Sequence, residues 1–453
     1  MPHPTRREAL AALPLAGLAG AAEPPKITLS TFSAEVTCPL GHPLMGGGIA
    51  PAKEVIDPLF AHGFVLRGAG KPVAVVAVDW CELRNGAYEA WRKAIAEAVG
   101  TDPVRVMVCC LHQHDAPVAD LEAEALLRKY GNGASICDPA FHAKAVARVA
   151  AAAKAAKPRP VTHVGTGQAK VEKVSSNRRY IDESGRVRYD RMSATRDPKV
   201  RAADEGTIDP HLKTLSFWNG DTPLLTLSAY ATHPMSYYGR GGVSADFVGM
   251  ARRLRQADTP GVVQMYVTGC SGNVTAGKYN DGAADNRAVL ADRLHKAMTT
   301  AWKETKRTPL RDVAFRAVPL TLAARSSKGF SADELTARLK NDPRPFGRCL
   351  AALGLSWRKR VEAGKPIDLS VLELGGAVLA LLPAESYVEY QLLAQKLRPE
   401  SFVVVAGYGE CGPGYIPIER AWKEGDSNLH DWCWVDPGSE KRMDAALRNA
   451  LSQ

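Results

Sequence analysis

An α/β fold, a layered mixed β-sheet sandwich with flanking helices, is predicted by three features of the 453-residue sequence. Short apolar runs rich in β-branched residues alternate with longer stretches of helical spacing, the pattern of a sheet covered by helices. Hydrophobic residues at 45% and charged residues at 23% are ordinary globular values and exclude a disordered or fibrous chain. No composition break, low-complexity linker or internal repeat is visible, so one domain is expected after the N-terminus.

The first segment is not part of that domain. Thr5-Arg6-Arg7-Glu8-Ala9-Leu10, an apolar stretch over 11–19 and the small residues Ala19-Gly20-Ala21 follow the order of a twin-arginine export signal. Residues 1–22 are therefore expected to be the signal and 23–453 the folded domain, located in the periplasm or outside the cell. No later segment reaches the ~20 apolar residues of a membrane span.

Residues 71–79 (KPVAVVAVD) then predict a buried strand, 85–99 a helix and 104–111 a second buried strand. An Ala-rich helix is expected over 139–157, strands over 224–231 and 262–268, and a helix over 283–306. The polar, Arg- and Asp-rich stretch 178–206 is expected to be a surface excursion near the mouth of the site. Beyond it the pattern gives a strand over 371–382, a helix over 384–397, a strand over 402–406 and a terminal helix over 440–451.

The formal charge of +10 is spread among acidic residues without basic clusters or interleaved aromatics, which argues against nucleic-acid binding. Nine cysteines are an odd number, so at least one is outside any intrachain disulfide, and the absence of a C-x-x-C pair argues against a ribbon-type zinc site or a thioredoxin-like centre.

The strand over 104–111 runs into His112-Gln113-His114-Asp115-Ala116-Pro117, placing two imidazoles at the carboxyl end of a buried strand, where open α/β folds bind ligands. Such a pair is a metal site only if other ligands converge on it, and otherwise serves in hydrogen bonding. The H-x-H-x-D-H signature of metallo-β-lactamase-like hydrolases is ruled out, because Asp115 comes one residue early and no His follows it. His233 also ends an apolar strand. Glu385, in Pro383-Ala384-Glu385, follows another; it either joins the histidines or complements the dipole of the helix it opens.

In order along the chain, His112-Gln113-His114-Asp115-Ala116-Pro117, Asn177-Arg178-Arg179, His233, Gly272-Asn273-Val274-Thr275, Pro383-Ala384-Glu385 and Gly414-Tyr415-Ile416-Pro417-Ile418 resemble the motif series of the neutral ceramidase catalytic domain over nearly the whole mature sequence. The resemblance implies a Zn²⁺ ion held by His112, His233, Glu385 and Tyr415, with catalytic roles for His114, Arg178 and Thr275. It further implies that the ion activates a water for attack on an amide carbonyl, while His114 transfers the proton to the leaving amine and Arg178 binds a polar substrate group or a product carboxylate, the alternative being a solvated arginine of a polar loop. The partner implied is a small-molecule or lipid substrate, with contact at a membrane surface but no span.

Two departures concern substrate-facing groups. Thr275 stands where the family has serine, and Ser427 where a further tyrosine helps stabilise the oxyanion, leaving His430 as the candidate to replace it. No counterpart of the family's C-terminal immunoglobulin-like domain is expected. An esterase or a deacylase of a non-ceramide substrate is therefore the alternative to a ceramide-cleaving enzyme. A zinc-binding but non-catalytic lipid- or sugar-recognising relative is a third, against which the retained His114 argues.

Overall fold

A computed structural model describes Met1, residues 27–68 and residues 70–452; the twin-arginine segment lies outside the described residues. Three mixed sheets carry the chain. The first has the order Val106–Cys110, Val73–Val78, Phe60–Arg67, Thr28–Glu35, Arg159–Pro160; the second Val263–Thr268, Thr222–Tyr230, His211–Asn219, His163–Lys170, Lys306–Pro309; the third Val313–Leu320, Ile367–Leu374, Ala377–Leu381, Phe402–Ala406.

Each sheet is laid down by the same chain path. Three antiparallel strands are followed by a helix (Asn85–Val99, Asp246–Asp258 or Val388–Leu397) and then by a fourth strand parallel to the third. The expectation of no internal repeat is thus corrected at the level of topology. The three units share a path but little sequence, because a buried strand demands only apolar, β-branched residues.

Alternation along the strands assembles the layers. Val73, Val75 and Ala77 face a core shared with Leu215, Phe217 and Leu225 of the second sheet and Leu372, Leu374 and Leu379 of the third. Their neighbours Ala74, Val76 and Val78 face the opposite way, toward Trp91, Ile95 and Val149 of the covering helices. A one-residue register slip would exchange these faces, so burial on both sides fixes the register.

The predicted helix over 85–99 is found at Asn85–Val99, ended by Gly100 in the left-handed region (φ 74°), as a helix C-terminus favours. The predicted single strand over 371–382 is instead a hairpin, Ile367–Leu374 and Ala377–Leu381, turned at Gly375-Gly376 with Gly375 at φ 63°. The 178–206 excursion contains the two-residue strands Tyr180–Ile181 and Val187–Arg188 and the short helix Pro198–Ala202. All nine cysteines are buried free thiols. Among the described residues no helix is long and apolar enough to cross a membrane.

Candidate metal centre

The three parallel strand pairs direct their carboxyl ends at one place. His112 follows Val106–Cys110 by two residues and adopts φ 70°, with its amide donating to the Trp80 carbonyl at 3.0 Å. A left-handed backbone at a residue with a Cβ costs energy and survives where the surroundings enforce it, commonly at functional sites. His233 follows Thr222–Tyr230, held by its amide on the Val274 carbonyl at 2.9 Å. Glu385 follows Ala377–Leu381 and begins a two-residue strand paired in parallel with Tyr415–Ile416, with Glu385 and Tyr415 as register partners. Glu385 therefore precedes the helix at Val388–Leu397 rather than lying in its first turn, which removes the helix-dipole role.

His112, His233 and Glu385 bring three ligand atoms within 4.8 Å of one another, all buried. His233 donates from Nδ1 to the Ser271 carbonyl at 2.6 Å, and His112 from Nδ1 to the Cys81 carbonyl at 3.1 Å. Both imidazoles thus turn Nε2 toward Glu385 Oε2, at 2.9 Å from His233 and 3.2 Å from His112. Burial opposes a charge on His112, but the Glu385 carboxylate outweighs it and raises the imidazole pKa, so the three ligand atoms enclose a position that favours positive charge, which a proton or a metal cation can supply. The other Glu385 oxygen, Oε1, is buried without a hydrogen-bond partner. These donors suit zinc, which takes imidazole nitrogen and carboxylate oxygen and in catalytic sites keeps a position open for water.

Burial opposes the charge on Glu385, but His112 and His233 outweigh it and hold the carboxyl well below its usual range. His114 is pushed far below the ordinary imidazole value by burial and then by the neighbouring His112 and His233. Its ring stands edge-on to His112 at 5.5 Å and to Tyr238 at 4.8 Å, and its Nδ1 has no hydrogen-bond partner. Burial raises the Tyr415 phenol, against the opposing pull of Arg178.

The remaining expected residues separate. A cavity lined in part by His112, His114, Glu385 and Tyr415 adjoins the centre; Arg178 is buried and donates to the Tyr415 hydroxyl at 2.7 Å, and is not among the lining residues. Thr275 lies outside the cavity lining: its hydroxyl donates to the Met192 carbonyl at 2.8 Å and accepts from the Gly277 amide at 3.2 Å. Ser427 and His430 are exposed at the ends of a short 3-10 turn, and neither lines the cavity; from this segment Asp431 and Trp432 do. The 178–206 excursion contributes no lining residue either, and borders a separate surface groove.

The sequence pattern did not mark several groups that support the centre. Tyr408 stacks on His112 at 4.3 Å and bonds Ser271 through its hydroxyl at 2.7 Å. Glu82 reaches to 3.8 Å of His112 Nδ1 and accepts from Arg84 at 2.7 Å and from Trp432 Nε1 at 3.2 Å. Each follows a strand of a parallel pair, and Glu82 holds the same place in the first unit as Glu385 in the third, four residues past the third strand. Strand-end position was the signal that would have found both.

No protein-family profile matches the sequence, and no curated protein does. Two solved structures are similar over nearly its full length. One is a neutral ceramidase from Pseudomonas aeruginosa, 16% identical with a TM-score of 0.67, the match covering 95% of this chain and 74% of that one. The other is a ceramidase complexed with C2, 16% identical with a TM-score of 0.66, covering 94% and 75%. The chain has a neutral ceramidase-like fold.

Proposed function

We propose that this protein is a zinc-dependent amidohydrolase that cleaves the amide bond of an N-acyl, ceramide-like substrate. The observation that carries the reading is the convergence of His112 Nε2, His233 Nε2 and Glu385 Oε2, with both Nδ1 atoms already committed to backbone carbonyls. His112, His233, Glu385 and Tyr415 would hold the ion. Bound there, zinc would supply Lewis-acid polarisation of the scissile carbonyl and a water made nucleophilic near neutral pH.

The residues around that position divide the remaining work. His114, neutral at pH 7 because of its burial and its two imidazole neighbours, can accept the proton of the attacking water and return it to the leaving amine. Arg178 orients the Tyr415 hydroxyl and favours its ionisation. Tyr238 packs edge-on against His114 with its hydroxyl 3.4 Å from that of Ser193, outside the cavity lining; turned toward the metal position, it is the nearby phenol that would donate to the developing oxyanion in place of the tyrosine lacking at Ser427. Thr275 keeps a supporting role through its two hydrogen bonds to backbone atoms.

The test is hydrolysis by the zinc-loaded protein of N-acyl-sphingosines, N-acyl amino acids and simple esters. Turnover of amides that disappears on chelation and returns with zinc supports the proposal. Turnover of esters alone favours an esterase, and binding without turnover a non-catalytic relative. Export through Arg6 and Arg7 belongs to the same reading: changing both to Lys should leave precursor in the cytoplasm, and unchanged secretion would refute it.

A further inference from the structure

The candidate metal centre opens on a cavity of about 220 Å³ lined by His112, His114, Glu385 and Tyr415 and, besides Cys81 and Asp431, by the apolar side chains of Met45, Phe346, Leu350 and Trp432. Sites for drug-sized ligands run to about 300–1,000 Å³, so this space is small. Its apolar wall is built to stay in place. Phe346 and Leu350 lie one turn apart on one face of the helix Pro345–Glu362, and Leu350 is buried. Phe346 stacks on Trp432 with ring centroids 6.0 Å apart and planes 25° apart. At Gly48 a Cβ would come within 2.5 Å of the Met45 methyl and 2.8 Å of the Phe346 ring, so those side chains already close around that glycine. The charged group at the rim, Asp431, is exposed and bonded to Arg338 at 3.3 Å.

We infer that Met45, Phe346, Leu350 and Trp432 form an acyl pocket that accepts a short- or medium-chain acyl group and excludes a long one. Nothing on this wall except the Trp432 Nε1–H can donate a hydrogen bond, and that group is engaged by Glu82. Nor do these four side chains offer an acceptor for an amino or hydroxylated head group, and the Asp431 carboxylate beside them is engaged by Arg338, so an aliphatic chain matches the wall better. The inference rests on the hydrolase reading for the identity of the occupant as the acyl half of an N-acyl substrate.

Calorimetric binding of straight-chain carboxylates, from butanoate to palmitate, to the zinc-loaded protein tests the pocket without requiring turnover. Affinity should rise about 4-fold per added methylene while the chain still enters the cavity. It should then stop rising, so that palmitate binds no tighter than octanoate. Phe346→Ala and Leu350→Ala should restore the rise, improving palmitate relative to octanoate by about 10-fold, with zinc content and melting temperature recorded for each variant. Met45→Ala, at a half-buried residue, gives the same comparison should either of the others fail to fold. A continuous rise to palmitate in the unmodified protein, or an unchanged chain-length profile in every folded variant, would overturn the inference. Hydrolysis of octanoyl amides is scored separately: a plateau in binding without cleavage upholds the pocket and rejects the hydrolase reading.

Discussion

The Arg178 guanidinium donates a 2.7 Å hydrogen bond to the Tyr415 hydroxyl and lies 5.3 Å from the centre of its ring. Arg178 is buried and makes no ion pair among the described residues; its other side-chain bond is to Asn428 Oδ1 at 3.3 Å. A buried cation without an anionic partner is costly, and the Tyr415 hydroxyl oxygen gives it a hydrogen-bond acceptor in place of that charge. Arg178→Gln should therefore weaken zinc binding by about 10–100-fold, as loss of a group that orients a ligand does. Chelator competition measures it, and an unchanged affinity would show that Arg178 serves packing alone.

His114 shares the cavity with the ligands but has no bond to Glu385. His114→Ala should keep its zinc and lose about 10²–10⁴-fold in kcat. Loss of the metal instead would mean that the roles of His112 and His114 have been exchanged.

Tyr238 stands beside His114, whereas Ser427 and His430 are exposed. Tyr238→Phe should lower kcat by about 10²–10³-fold, the typical effect of removing one oxyanion donor. His430→Ala should leave kcat unchanged. The reverse pattern in steady-state kinetics would return the role to the 427–430 turn.

His142 is buried, with an unpartnered Nε2, and burial pushes its pKa down from 6.5 to about 4. Between those values the unfolded chain takes up a proton that the folded chain does not, so this group's contribution to stability falls as pH drops through 6.5 toward 4. The effect approaches about 3 kcal/mol at the acid end. Urea unfolding at pH 7 and pH 4.5 should show a smaller acid loss for His142→Gln than for the unmodified protein. Equal losses would show that other groups govern the acid limb.

The meeting of His112, His233 and Glu385 was legible because each closely follows an apolar strand: His112 and His233 each end a run whose burial the residues announce. The hairpin at Gly375-Gly376 was hidden by continuous apolar sequence on both sides of the turn. The first strands of the first two units, TLSTFSAE and HVGTGQAK, were missed because small and polar residues weaken their alternation. The family resemblance implied a catalytic role for Thr275, whereas strand pairing with Ser176 directs its hydroxyl to backbone atoms. The cavity wall on Pro345–Glu362 had no signal of its own, since Phe346 and Leu350 look like any core face of a helix. Three topologically equal units meeting at one point is a property of the path and could not be read from residues that differ among them.

The measurement that tests the account most directly is metal analysis of the purified protein beside Glu385→Ala. The unmodified protein should contain about one tightly held zinc per chain, as a site with its full set of nitrogen and oxygen ligands does, and Glu385→Ala should lose it while remaining folded. A protein that contains no zinc and takes none up, or a Glu385→Ala variant that binds zinc as tightly as the parent, would contradict the assignment of His112, His233 and Glu385 as a metal centre.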